Sequence, residues 1–292
     1  MEPLFTRTAI LGLGLMGGSL GLALRSGGIA GRVSGYDAAA GVAERARERG
    51  AVDEAASSVA DAVAGADLVV LAVPVLAERE ILRALTSHLA PDALVTDLGS
   101  TKARIVAWAT ELLPDSSRYV GGHPMTGSEH SGIAAADGRL FQGAVWCLTP
   151  TAGTHPDALA RLVELVGRLG AIPHVLDPDR HDWLVAGASH LPLVAATALM
   201  RAVGASGDWD ALSQLAAGGL RDTTRLAAGD PTMARDICLS NGPAVVAWLD
   251  AYIAKLARLR ERINAGDGAL GEDFASARAL REAWLAGRRD DK

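Results

Sequence analysis

Through the first 177 residues, short runs of apolar and β-branched positions alternate with longer stretches whose apolar residues recur at helical spacing. Strands are predicted over residues 8–11, 32–36, 67–72, 94–97, from Val120 onward, 145–148 and 172–176. Helices are predicted over 17–26, 38–49, 76–89, 102–112 and 156–169, with Gly50 and Gly170 as stops. The run Asp67-Leu68-Val69-Val70-Leu71-Ala72 has no polar face, as expected of a parallel strand covered on both sides. This alternation predicts an α/β domain built on a doubly wound parallel sheet with right-handed crossovers. After Pro178 the pattern turns helical to the end, with breaks at 204–207, 218–219, 229–231 and 242–243. Two domains follow: residues 1–177, and an all-α domain of residues 178–292. In the second, residues 245–263 are expected to form a long packing helix, and the last twenty residues a helix with a frayed tail. No internal repeat is visible.

Composition narrows the class. Nearly half of the 292 residues are hydrophobic but only 4% are aromatic, so the core must be mostly Ala, Leu and Val. The net charge of −6 argues against nucleic acid as a partner, and the Arg288-Arg289 pair beside Asp290 and Asp291 reads as a solvated tail. Cys147 and Cys238 form no CxxC pattern and are expected to be free thiols. No basic-then-apolar leader opens the chain, and charges or turns interrupt each long apolar stretch, so no membrane span and a cytoplasmic location are expected. His88, His130, His155 and His174 lack metal-ligand spacing, so no metal is expected. The six tryptophans read as packing residues, Trp183 alone lying beside a candidate pair, His181-Asp182.

The candidate chemistry begins at Gly12-Leu13-Gly14-Leu15-Met16-Gly17, a GxGxxG. Such triplets arise by chance, but here a strand precedes, an apolar helix follows, and Asp37 stands twenty residues beyond Gly17 at the end of the second strand. Gly12 permits a tight turn, Gly14 lets the backbone approach a pyrophosphate, and Gly17 lets helix and strand pack closely. The helix N-terminus, with Leu15 and Met16, offers amides to the phosphates. Asp37 is placed to bind ribose hydroxyls and to repel a 2′-phosphate, so NAD is favoured over NADP. Val73-Pro74, at another carboxyl strand edge, is expected to line the nicotinamide ribose, or else to be an ordinary turn.

Four further segments stand in unusual polar settings: Asp97-Leu98-Gly99-Ser100-Thr101-Lys102, Gly121-Gly122-His123-Pro124-Met125-Thr126-Gly127-Ser128-Glu129, Ser189-His190-Leu191-Pro192, and Gly218-Gly219-Leu220-Arg221-Asp222-Thr223-Thr224-Arg225. Asp97 is read either as part of a site or as a cap for the next helix. Together, in this order and spacing from about residue 7 to 264, the segments resemble the prephenate/arogenate dehydrogenases of tyrosine biosynthesis. The resemblance implies a Rossmann-type NAD-binding domain, a helical dimerisation domain, a homodimer, and an active site between the two domains. It implies that His123 is catalytic, that Ser100 contacts this histidine and the substrate hydroxyl, and that Arg225 binds a substrate carboxylate. Glu129, Arg221 and Asp222 would gate the pocket by ion pairing, Asp222 reaching across the dimer. His181, Ser189, His190 and Gly218 would line it. The implied reaction is oxidative decarboxylation of prephenate to 4-hydroxyphenylpyruvate, with arogenate as the alternative substrate. An imidazole suits the proton transfer at neutral pH, and an arginine fork suits a carboxylate.

Two departures bear on substrate. Many members read SHLPH, where this chain has Leu193, and many carry Trp where this chain has Ala234 after Pro231-Thr232-Met233. The length leaves no room for a C-terminal ACT-type domain, so control through one is not expected. Two other readings stay open. A β-hydroxyacid dehydrogenase shares the GLGxMG loop but relies on a helical-domain lysine, and after Asp182 this chain offers only Lys255 and Lys292. A non-catalytic NAD-binding regulator would bind cofactor without turnover.

Overall fold

The computed structural model describes residues 2–128 and 130–287. By compactness the chain divides into two units, residues 1–245 and 246–292. The first holds the sheet together with the first helices of the helical half.

The sheet strands are β1 (Phe5–Leu11), β2 (Ala30–Tyr36), β3 (Glu54–Ala55), β4 (Leu68–Leu71), β5 (Leu94–Asp97), β6 (Tyr119–Pro124), β7 (Val145–Thr149) and β8 (Ile172–Val175), in the spatial order β3-β2-β1-β4-β5-β6-β7-β8. The first six run parallel, so their carboxyl ends share one edge. β7 runs antiparallel to β6, with His123 opposite Cys147, and β8 is parallel to β7. The doubly wound parallel sheet expected from the sequence is present, and one pair, β6 with β7, departs from the parallel direction. The reason is the connection: among the described residues between β6 and β7 there is a short 3-10 turn, Ile133–Ala135, and no crossover helix to return the chain to the starting edge.

Helices α1 (Leu15–Ser26), α2 (Val42–Glu48), α3 (Val59–Val63), α4 (Glu78–Leu85), α5 (Ala103–Leu112) and α6 (Pro156–Arg168) cover the sheet. α2 begins later than predicted because Gly41 sits at φ +74°, a left-handed turn that interrupts any helix from residue 38. β3 and α3, too short for periodicity to mark, were not anticipated. Alternate residues of β4 enter opposite cores: Leu68 and Val70 pack with Leu20, Leu24 and Leu162, whereas Val69 and Leu71 pack with Val63, Leu82 and Ile105. A sheet buried on both faces explains why β4 has no polar position.

The helical half opens with α7 (Pro178–Val185), passes through a π turn (Ala186–His190), and continues as α8 (Leu191–Gly204). Pro192 causes the widened turn: without an N–H it cannot bond back four residues, and its ring crowds the preceding turn. α9 (Trp209–Leu215), α10 (Gly218–Thr224), a 3-10 turn (Arg225–Ala228), α11 (Pro231–Ser240), α12 (Gly242–Ala265) and α13 (Leu270–Gly287) follow. Pro178–Gly204 is long and apolar enough to span a membrane by length and composition. Its buried polar residues give it another role, because Asp182 accepts two backbone amides from the sheet half. Within residues 246–287, Arg262 ties α12 to the start of α13 through Asp267, Asp273 and the Ala269 carbonyl.

Candidate active site

The glycine-rich turn joins β1 to α1 at the carboxyl edge. Gly12 has φ +97°, and a Cβ there would lie 2.4 Å from the Ala72 carbonyl oxygen. A Cβ on Gly17 would lie 1.9 Å from the Gly12 carbonyl oxygen. Only glycine fits either place. Gly14 differs, since a Cβ there would meet nothing within 4 Å. No side chain caps α1 and its first turn carries no acid, so the amide end at Leu15 and Met16 stays open to an anion. Asp37, just past β2, accepts the Leu13 N–H at 2.8 Å and the Ala39 N–H at 2.9 Å, holding its carboxylate beside the turn. Val73 of the Val73-Pro74 loop packs against Gly12. Open space before Gly14, an uncapped helix and a fixed carboxylate together fit a dinucleotide.

Next along the edge lies a buried polar cluster centred on Asp97. Asp97, at the end of β5, is completely enclosed. Its Oδ1 accepts the Tyr119 hydroxyl at 2.7 Å and the Gly122 N–H at 3.1 Å, and its Oδ2 accepts the Gly99 N–H at 2.8 Å and the Lys102 ammonium. Of the two readings of Asp97 the helix cap is excluded, since none of these donors is an amide of α5. Lys102, equally enclosed, also donates to the Gly122 carbonyl at 2.7 Å. These bonds tie the β5 loop to the residue preceding His123.

His123 leaves the carboxyl end of β6, and His181 comes from α7. Asp182 fixes the protons between them. Its carboxylate accepts N–H groups from Lys102 at 2.7 Å and Ala103 at 3.0 Å. An acceptor-only carboxylate requires a proton on His181 Nδ1, 2.8 Å away, which leaves Nε2 of that ring as an acceptor. His123 Nδ1 therefore donates to His181 Nε2 at 2.9 Å, and the free lone pair of His123 lies on Nε2. Burial, then His181, Lys102 and His190, hold the His123 pKa well below 6.5, so the ring is neutral at physiological pH. Burial also lowers His181, against the opposing pull of Asp182.

His190, in the π turn, is buried, and burial brings its pKa down to about 4. The Asn241 side-chain amide, which donates to the Asp182 carbonyl at 2.7 Å, also meets His190 Nδ1 at 3.3 Å. His190 Nε2 has no partner among the described residues. Ser189 is exposed, and Ser100 is half-buried with His123 Nδ1 turned to His181 rather than to it. Arg225 is exposed on a turn that packs against α8. Gly218 starts α10, where Arg221 and Asp222 pair with each other at 2.9 Å in solvent. Glu129 lies outside the described residues. Leu193 and Ala234, the two departures, line one cavity of about 340 Å³ between α8 and α11, with Val194, Ala198 and Cys238.

Lys102, Tyr119 and Asn241 were not among the candidate residues, whereas Asp97 was one, with a helix cap as its alternative. Asp97 and Lys102 bound one of the polar segments, and an acid followed five residues later by a lysine across a glycine was the available signal. Nothing marked Tyr119 or Asn241, whose partners are distant in sequence.

Two family models match the chain: "Prephenate dehydrogenase, nucleotide-binding domain" over residues 20–174, and "Prephenate dehydrogenase, dimerization domain" over residues 177–276. The prephenate dehydrogenase of Bacillus subtilis is 35% identical over 260 residues, covering 88% of this chain and 70% of that protein. The cyclohexadienyl dehydrogenase of Zymomonas mobilis is 35% identical over 266 residues, covering 90% of each. The crystal structure of prephenate dehydrogenase from A. aeolicus, in complex with hydroxyphenyl propionate and NAD+, superposes with a TM-score of 0.88 at 33% identity, covering 95% of this chain and 98% of that one. This chain belongs to the prephenate dehydrogenase family.

Proposed function

We propose that the chain is an NAD-dependent prephenate dehydrogenase in which Nε2 of His123 takes the substrate hydroxyl proton. The observation that carries this reading is the proton order Asp182–His181–His123 at the same sheet edge as the glycine turn. Residues 1–177 would form the NAD-binding half and residues 178–292 the substrate and dimer half, in a cytoplasmic homodimer.

Gly12, Gly14, Leu15, Met16, Gly17, Asp37, Val73 and Pro74 would hold the cofactor. When bound, NAD supplies the hydride acceptor. His123, neutral and with its lone pair on Nε2, accepts the proton as the hydroxyl carbon is oxidised. The resulting imidazolium donates to His181, whose other nitrogen rests on the Asp182 carboxylate, so positive charge is balanced without a second proton transfer. Ser100 would orient the hydroxyl. Arg225 would anchor the side-chain carboxylate through its planar fork. Loss of the ring carboxylate as CO2 makes the ring aromatic. Ser189, His181, His190 and Gly218 would line the pocket, with Glu129 and Asp222 at its mouth.

An assay of NADH formation with prephenate and arogenate side by side tests the reading. Turnover of prephenate supports it. Preference for arogenate moves the chain toward the cyclohexadienyl relative, a shift consistent with Leu193 removing a hydrogen-bonding side chain. No NADH with either substrate overturns it. His123→Asn is expected to lower kcat by about 10²- to 10⁴-fold with NAD binding unchanged.

A further inference from the structure

Glu78, the first residue of α4, is fully enclosed, and neither carboxyl oxygen has a hydrogen-bond partner among the described residues. An ionised carboxylate in that state is costly to bury, because nothing replaces the water it loses. The carboxyl does not stand in apolar surroundings alone. Around the point where a Gly99 Cβ would sit, Glu78 Oε1 lies at 2.8 Å, Asp97 Oδ2 at 2.9 Å and the Ile105 Cδ1 at 2.7 Å.

The neighbours limit what Glu78 does there. Asp97 already accepts four donors, two on each oxygen. The Lys102 ammonium has three N–H groups and spends two, on Asp97 and on the Gly122 carbonyl. The charged and titratable groups facing Glu78 are Asp97 of β5, Lys102 ahead of α5 and the Tyr119 hydroxyl of β6. α5 presents Ile105 here, and α3, which packs against α4, buries only the apolar Ala62 and Val63. α11, packed on the turn before α4, carries Asp236, already paired to Arg235. Asp97 and Lys102 balance each other's charge. A second carboxylate would leave the enclosed cluster with a net negative charge, and the lysine is the cation within it that can answer.

We propose that Glu78 is a positioning residue for His123: as an uncharged acid it leaves the Lys102 ammonium shared between Asp97 and the Gly122 carbonyl, and as a carboxylate it draws that ammonium away. Release of the Gly122 carbonyl loosens the backbone one residue before the base. Burial and the Asp97 charge push the Glu78 pKa well above the ordinary carboxyl value, against Lys102, which favours the uncharged acid. The inference rests on the proposed role of His123 and adds to it an alkaline limit that the histidines do not supply.

The test is a pair of kcat–pH profiles on the full-length enzyme, each normalised to its own maximum, for wild type and Glu78→Gln, with Glu78→Leu as a second uncharged variant. Wild type should fall on the alkaline side, roughly tenfold per pH unit past the limb, while both variants stay level. KM for NAD should not follow the limb. Thermal melting provides a readout without turnover. With a raised pKa the folded state holds a proton that the unfolded chain releases above its ordinary carboxyl pKa, so wild-type stability falls with rising pH. The Tm advantage of Glu78→Gln should therefore widen as pH rises from about 5 to 9. Alkaline limbs that coincide in active enzymes would overturn the positioning role while leaving the functional reading intact. A Tm gap independent of pH would overturn the uncharged state. Absence of turnover by wild type on either substrate would sink the functional reading, and the positioning role with it.

Discussion

Asp182 decides which nitrogen of His123 carries a proton. Two backbone amides hold its carboxylate in place, so the ring of His181 has no choice of tautomer, and His123 inherits the consequence one bond further on. Asp182→Asn keeps the shape but removes the charge that supports a protonated imidazole pair, and its amide group must face one of three donors. kcat is expected to fall at least about a hundredfold, with KM for NAD within about threefold of wild type. The pH profile carries a second expectation. Protonated His123 accepts nothing, so activity is lost as pH falls through the pKa of the folded enzyme, which burial places well below 6.5. The acid limb of kcat/KM should therefore lie well below 6.5, and it belongs to the His123–His181 pair rather than to either ring. An acid limb at or above 6.5 would show that the relay does not hold His123 neutral.

At the level of elements, the glycine turn makes two roles separable by experiment. Gly17→Ala forces a methyl group into the Gly12 carbonyl oxygen and should destabilise the fold by about 3 kcal/mol or more, measured by denaturant unfolding. Gly14→Ala meets only open space, so it should cost at most about 1 kcal/mol, yet raise the Kd for NAD at least about tenfold. Equal effects on stability would contradict the division. The same turn was plain in the sequence because its geometry demands glycine at fixed spacing, and β4 was plain because a strand covered on both faces shows an unbroken apolar run. β7 was found but not its direction, since an apolar run of four or five residues carries no arrow and only the helix-free connection before it turns the strand around. Of the site, His123 stood out through its rigid glycine and proline neighbours. Its link to His181 crosses 58 residues and depends on how α7 packs. Glu78 was invisible for another reason: Glu78-Arg79-Glu80 reads as an acidic first turn placed for the helix dipole, and only the packed structure shows the first of these acids enclosed.

At the scale of the whole molecule, the apolar surface of a single chain points to a second copy. Along α12, Val246, Ile253, Leu256 and Ile263 follow one another at spacings of seven, three and seven, the seam of a heptad pattern, and they are 55%, 53%, 47% and 61% exposed. Phe274 and Leu280 of α13 are likewise exposed. Such an apolar stripe is costly in water, and its α12 part lies within the stretch matched by the dimerisation-domain family model. If a partner chain covers it, two charges on the seam should separate the copies without unfolding them, because the side chains replaced are not part of the sheet core. The wild-type chain is expected to scatter light as a dimer. Ile253→Asp combined with Leu256→Asp should give a monomer whose far-UV circular dichroism matches wild type. A double variant that stays dimeric would put the interface on another face, and one that loses its helical signal would make this stripe part of the core of a single chain.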